Sequence, residues 1–577
     1  MSTMLGQYLR QFGQKLVRRK PQFREEPESS ETHPPNTLDL VVIGLDNMLG
    51  AGIYILIGGV AKYVAGPAII LFLLVAGLTT VLSGLCYVEL AAGVERPGTV
   101  YFISYVTMGR LYAFISGWNL LLYLIIATAC IAQAWSSTFD SLIGNHISEA
   151  LGGTFSLQMP SFLASFPDFL ALGLVLLLTA SSSSLASLRE TCTTGSSWNR
   201  TTNWLQLDLV MPTGSKASRL QWSMPLAVVI SFFICFLVCF GVSAALTLMV
   251  PYYLIQLESP LPQAFICVGW DSAKYVVAVG TLCILLYSLL SIMFIMAQLT
   301  YAMAEDGLLF RGLAWIPAPT DARTIMIRTT NARIIVRTVA PTGTPIMAVL
   351  VPGTLAAVMA LLFDFTDLVD LMSFHSLLAY FLVTFSVLVL RCQRAQNGSQ
   401  EKTEEETETN PEVEGGPLES EPEAGISGIL KSLWFPPSTI PTWKSGRIVY
   451  GCASLLVLLL IILSLILYRW SSQVFSGDPV LTTVAVLLLL LITGVTVIIW
   501  RQPQNPSTLP FRVPAMPAVF LVSTSVNIYL MIQMTTRTWA QFGIWMAIGF
   551  AIYFGYGIRH SLEENNDQQP AASTSKT

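Results

Sequence analysis

Residues 38–61 read LDLVVIGLDNMLGAGIYILIGGVA, twenty-four residues with only Asp39 and Asp46 charged. A bilayer-spanning helix needs about 20 mostly apolar residues, because its backbone must satisfy its own hydrogen bonds across a core roughly 30 Å thick. This stretch is long enough, and eleven more follow it: 66–92, 111–135, 166–180, 224–250, 274–303, 345–364, 368–391, 447–468, 477–500, 514–534 and 539–557. The fourth only just reaches the required length before a run of serines begins at Ser181. Twelve spans make an all-α polytopic membrane protein. The composition agrees: 53% of the 577 residues are apolar, only 11% are charged, and the mean hydropathy is +0.62. Soluble globular domains carry about 25% charged residues, so a string of solvated domains, a disordered chain and a nucleic-acid binder with a basic face are all excluded. Nine cysteines without a CxxC give no disulfide framework and no zinc site.

Charge placement orients the chain. Cytosolic loops are enriched in Lys and Arg, and with both termini inside, 27 of the 31 basic residues fall on the cytosolic side. Lys62, Lys274, Arg469 and Arg537 are the four left outside. The first 37 residues are polar and charged, unlike a cleavable signal peptide. The sequence therefore divides into a cytosolic N-terminus (1–37), a membrane core (38–391), a cytosolic linker (392–446), C-terminal membrane helices (447–557) and a cytosolic tail (558–577). The linker holds ten Glu against one Lys in 401–424, which reads as a solvated, disordered stretch. Removing it turns the net charge of −4 into an excess of positive charge on the cytosolic side. Within the core, 181–223 is polar and holds no apolar run long enough to cross a bilayer.

Chemistry concentrates in the first span. Gly50-Ala51-Gly52, followed by Gly58-Gly59, sits mid-membrane. Each glycine weakens a helix by about 1 kcal/mol relative to alanine. Such a pair lets a helix unwind and offer backbone groups to a polar ligand, as half-helix ends do at transporter midplanes. Close packing of helices through small residues is the alternative. Asp46, beside the glycines, is suited to a cationic group or a coupling proton, or stands as a protonated carboxyl without a transport role. Glu89, near the cytosolic end of the second span, is either functional, snorkelling, or paired with Arg96. His375 reads as a satisfied interior histidine, and Cys235 with Cys239 as packing rather than a metal site. The four histidines stand apart, with no HExxH, GxSxG or P-loop, so no enzyme is expected, and neither a cofactor nor a metal.

The chain resembles the vertebrate cationic amino acid transporters of the amino acid–polyamine–organocation superfamily. The resemblance rests on LGAGIYILIGGVAK (49–62), LSGLCYVELAAGV (82–94), GWNLLL (117–122), AWSSTFDSLIGNHIS (134–148), PDFLALGLVLLLT (167–179), SAALTLMVPYYLIQLESPLPQAF (243–265), YAMAEDGLLFRGLA (301–314), FTDLVDLMS (365–373), VNIYLMIQM (526–534) and FGIWMAIGFAIYFGYGIRHSLE (542–563). The basic RQFGQKLVRRK (10–20) leans towards the third vertebrate isoform. The resemblance implies a five-plus-five inverted repeat with extra C-terminal helices, fourteen spans in all. It implies sodium-independent transport of arginine, lysine and ornithine across the plasma membrane by alternating access. Gly50, Ala51, Gly52, Ile53 and Tyr54 would then hold the substrate carboxylate, with Asp46 and Asn47 beside them, and Glu89 would match a glutamate important for transport. The partners implied are cationic amino acids and the lipid bilayer, with no nucleic acid; oligomeric state stays open.

The departures are specific. The family's fifth and sixth helices should fall between about 181 and 224, and the polar stretch there has no counterpart of them. Asp46-Asn47-Met48 stands where the family has Gly-Ser-Thr, and Gln133 where it has an arginine. A transport-inactive paralogue or aberrant isoform, acting as a membrane binding or scaffold protein, is the alternative expectation.

Overall fold

The computed structural model describes residues 37–49, 52–53, 58, 62, 69–92, 100–154, 167–192, 217–255, 260–314, 346–391, 443–504 and 511–560. Among the described residues all regular elements are helical. Twelve helices correspond to the twelve expected spans: α1 (Thr37–Leu49), α2 (Ile69–Ala92), α3 (Arg110–Ile143), α4 (Phe169–Cys192), α5 (Ala217–Met249), α6 (Asp271–Glu305), α7 (Ile346–Leu362), α8 (Phe365–Arg391), α9 (Trp443–Phe475), α10 (Pro479–Arg501), α11 (Met516–Gln533) and α12 (Thr536–Ile552). Nine helices among the described residues are long and apolar enough to cross a bilayer, α4 and α7 contribute shorter apolar stretches, and α1 has 13 residues. The acidic linker and the tail after His560 lie outside the described residues.

The boundaries move where polar side chains help the backbone. The serine run was expected to end the fourth span at 180, yet α4 continues to Cys192. Serine and threonine in an apolar setting turn their hydroxyls onto their own helix, as Ser181 does on the Leu178 carbonyl at 3.2 Å and Thr179 on Val175 at 2.6 Å. A serine run therefore need not terminate a helix in the membrane. The α3 helix likewise runs eight residues past its expected end at 135, to Ile143, and Gly144 closes it with φ 99°. That left-handed turn is open to glycine at no steric cost. Asp140 then takes the Ile147 and Ser148 amides at 2.9 and 3.1 Å. Asp168 caps α4 through the Ala171 amide at 2.9 Å and also accepts the Ser136 hydroxyl at 2.8 Å. Of the polar 181–223 segment, residues 193–216 lie outside the described residues.

The chain forms two compact units. The first comprises residues 1–84, 94–379 and 534–577, so the last span is grouped with the early ones. Its centre is α3, whose apolar window is 83% buried, against 17% for α5 and for the last span. Phe114, Ile125 and Ile126 of α3 pack with Leu285, Leu289, Met296 and Met303 of α6, and with Ala356, Ala357 and Ala360 of α7. The second unit comprises residues 85–93 and 380–533. In it α10 turns Leu487, Leu489, Leu490 and Leu491 outward, an apolar surface that lipid solvates without cost.

Candidate substrate site

The glycine-rich stretch follows Leu49, the last residue of α1, and Gly52 and Ile53 are helical. Gly50, Ala51 and Tyr54 lie outside the described residues, as do the side chains of Asp46 and Asn47, which sit in the last turn of α1. Ile53 is buried against Ile69 of α2, Leu246 and Val250 of α5, and Ile255 and Ala264 beyond it. A side chain at Gly52 would meet nothing within 4 Å among the described residues.

Close packing through a small residue is found one helical stretch earlier, at Gly44. There a Cβ would fall 2.5 Å from the Ser231 Oγ of α5, and that hydroxyl donates to the Val41 carbonyl at 3.1 Å. Gly77 and Gly84 of α2 face Phe232 and Val228 of the same helix. Helix α5 therefore lies in register against α1 and leans on α2. Gly44→Val is expected to destabilise the protein by about 1–3 kcal/mol through overpacking. A lowered melting temperature of the detergent-solubilised variant checks this; an unchanged one would remove the close α1–α5 contact.

Glu89 has a partner that the sequence did not offer. It is fully buried in the second unit and forms a two-point ion pair with Arg391, Nε to Oε1 at 2.5 Å and Nη2 to Oε2 at 2.6 Å. The Val513 amide donates to Oε2 at 2.8 Å, and Arg391 Nη2 donates to the Val513 carbonyl at 2.7 Å. Two helix ends and the segment entering α11 are thereby closed around one charge pair. Arg96, the partner considered from sequence, lies outside the described residues.

Three polar arrangements of the first unit join residues whose pairing the sequence did not show. Asn119 Nδ2 donates to the His375 carbonyl at 3.1 Å, leaving its Oδ1 as acceptor for His375 Nδ1 at 2.5 Å. Histidine Nδ1 must then carry the proton, and Nε2, without a partner, is the bare nitrogen. His375 is thus only half satisfied, held between Phe374 and Phe542. Gln133 Nε2 donates to the Ala360 and Phe363 carbonyls, both at 2.8 Å, tying α3 to the end of α7. A shorter uncharged amide does here what a helix C-terminus asks of a donor. Trp118 and Trp545 stack at 4.3 Å and exchange indole N–H donations to each other's carbonyls at 3.0 and 3.3 Å. Cys235 and Cys239 lie 3.9 Å apart, and no group of three or more metal-binding side chains occurs among the described residues.

The family model described as amino acid permease matches residues 213–404, and that for the C-terminus of the amino acid permeases matches 511–561. Cationic amino acid transporter 4 of Mus musculus is 31% identical, over 98% of this chain and 93% of its own length; its Homo sapiens counterpart is 32% identical, over 97% and 93%. This chain belongs to the cationic amino acid transporter family. It is an amino acid transporter that crosses the membrane many times, not an enzyme. Both vertebrate relatives bear the number four, so the lean towards a third isoform is corrected; a short basic N-terminal stretch is too common to decide between isoforms. The transporter is also 28% identical to the methylthioribose transporter of Bacillus subtilis, over 51% of this chain and 72% of that one. The alignment to the mouse relative runs over 629 positions against 577 residues in this chain, so the relative holds segments without a counterpart here.

Proposed function

We propose that this transporter carries cationic L-amino acids, arginine, lysine and ornithine, across the plasma membrane by sodium-independent alternating access. Both termini are cytosolic in this reading, and the membrane core at 38–391 and the C-terminal helices at 447–557 are separated by the acidic linker at 392–446. The observation that carries it is the glycine-rich stretch that follows Leu49, the last residue of α1, with Ile53 buried against Ile69, Leu246 and Val250. Backbone amides of Gly50, Ala51, Gly52, Ile53 and Tyr54 would receive the α-carboxylate, since freed N–H groups at a helix break bind anions. Asp46 and Asn47 would serve the cationic end of the same ligand in this assignment. The names of the mouse and human relatives support the substrate class.

The test is uptake of labelled arginine by the purified chain in liposomes, with sodium present or replaced. Uptake above background, indifferent to sodium, is expected. Gly52→Leu should abolish it by placing a bulky side chain within the proposed clamp, and Asp46→Asn should weaken the affinity for arginine. Uptake by Gly52→Leu equal to the parent would overturn the clamp, and equal affinity in Asp46→Asn would remove the carboxylate. A parent at background would favour the second reading, a transport-inactive binding or scaffold protein. That reading draws on the shortfall against the longer relatives and on the absence of recognisable fifth and sixth helices in 181–223.

A further inference from the structure

Arg391 is neutralised by Glu89, Arg537 lies 2.7 Å from Asp367, and the buried Arg110 donates through Nη2 to the Gly557 carbonyl. Arg311 and Arg559 differ. Both are exposed, and neither joins a carboxylate among the described residues. They stand where two spanning segments of the first unit end, one at Glu305 and the other at His560.

The two ends are held against each other by backbone and rings. The last span continues beyond α12 through a π-turn at Tyr553–Gly557 and a final turn at Ile558–His560. A Cβ at Gly557 would lie 3.0 Å from the Leu308 carbonyl oxygen, so glycine permits this approach. The rings of Phe310 and Tyr556 are 4.9 Å apart, and Tyr556 stacks on His560 at 4.2 Å. The Arg311 amide donates to the Tyr556 hydroxyl at 3.2 Å, and Arg311 Nη2 donates to the His560 carbonyl at 3.4 Å. Capping a helix C-terminus is an ordinary task for arginine. Here that bond is long, takes up one guanidinium N–H, and leaves the others open. The Arg559 side chain bonds nothing among the described residues. On the same turns the surface is apolar as well as cationic, since Phe310 and Phe554 are 50% and 44% exposed. Cations with open aromatic rings at the ends of spans match a boundary with hydrocarbon on one side and phosphate on the other. A soluble anion would have no use for the rings.

We propose that Arg311 and Arg559, on the frame formed by 308–311 and 553–560, bind the headgroup phosphate of an anionic phospholipid. A guanidinium recognises phosphate by paired N–H donation, and Arg311 is already held in place by the last turn of the span. In the orientation proposed above this end is cytosolic, the side whose leaflet carries the anionic lipids. The site itself requires only that this end meet a bilayer surface, and it is independent of the substrate assignment.

The experiment places the purified full chain in phosphatidylcholine bilayers with trace spin-labelled lipid and reads the protein-immobilised fraction by electron spin resonance. Spin-labelled phosphatidylserine should associate about fivefold more strongly than spin-labelled phosphatidylcholine, the effect of one arginine near an anionic headgroup. The preference should vanish in Arg311→Gln/Arg559→Gln, which keeps polar side chains, and persist in Arg311→Lys/Arg559→Lys, which keeps the charge. No preference in the parent, or an equal one in the glutamine variant, would overturn the proposal. If the glutamine double variant does not fold, Arg559→Gln alone decides, and an unchanged preference there would overturn the proposal. Arg469→Gln removes an exposed arginine of the second unit and should change nothing. A fall there equal to that of Arg559→Gln would also overturn it, by showing a response to net charge alone. Loss of the preference with inorganic phosphate, but not with chloride at equal ionic strength, would replace the lipid by a free phosphate.

Discussion

Glu89→Gln lowers the stability of the protein by about 3–5 kcal/mol, the cost of leaving one member of a buried ion pair without its counter-charge. The glutamine keeps the shape, so the loss comes from the Arg391 guanidinium, which is 8% exposed and retains only the Val513 carbonyl and a neutral amide. Arg391→Met destabilises by a similar amount, because the carboxylate then keeps a single partner, the Val513 amide at 2.8 Å. The double variant, with both charges gone, should recover a large part of the stability, since coupled residues do not add. Thermal unfolding of the four proteins in one detergent measures the cycle, and additive losses would show that the pair is not a unit. Uptake gives a second readout. If Glu89 acts through stability, activity per folded molecule stays near the parent value in Glu89→Gln. A well-folded Glu89→Gln without transport would assign the carboxylate to the transport cycle itself.

Gly549→Leu should break the attachment of the last span. A Cβ at Gly549 would clash with the Trp118 indole, closest to Nε1 and lying 2.6 Å from Cδ1 and 2.8 Å from Cε2. The rigid ring cannot withdraw without giving up its stack on Trp545 and both indole–carbonyl hydrogen bonds. Stacking contributes about 0.5–1.5 kcal/mol, each hydrogen bond a net ~1 kcal/mol, and overpacking costs about 1–3 kcal/mol. Together these exceed 3 kcal/mol by a rough count, enough to unfold a marginal protein. Loss of the near-ultraviolet tryptophan circular dichroism signal, with a lower melting temperature, is the expected observation. Gly555, where a side chain meets nothing within 4 Å, is the control: Gly555→Ala should change neither.

The spans were legible because a run of about 20 apolar residues announces itself without reference to anything else in the chain. Their ends were less so. Ser181 and its neighbours read as a stop, while the helix runs on through them and Ser181 turns its hydroxyl onto the Leu178 carbonyl. Pairings over long sequence separations could not be read at all. Arg391 counts as one more loop cation in the sequence, and only folding brings it to Glu89, 302 residues away. Gln133 looked like a lost arginine, yet its amide satisfies two carbonyls of α7. The glycine-rich stretch was visible for the opposite reason, since its meaning lies in backbone chemistry carried by the residue type.

The tryptophan pair also sets an order of events during biogenesis. Trp118 enters the membrane among the first quarter of the residues made, and its partner Trp545 is among the last to leave the ribosome. The early helices of this unit therefore wait, with an aromatic face of α3 unclaimed, until synthesis is nearly complete. Contacts of such long sequence separation form late and slowly. A chain interrupted just before α12 would reach the membrane with eleven of these twelve helices and still lack the contact that closes its first unit.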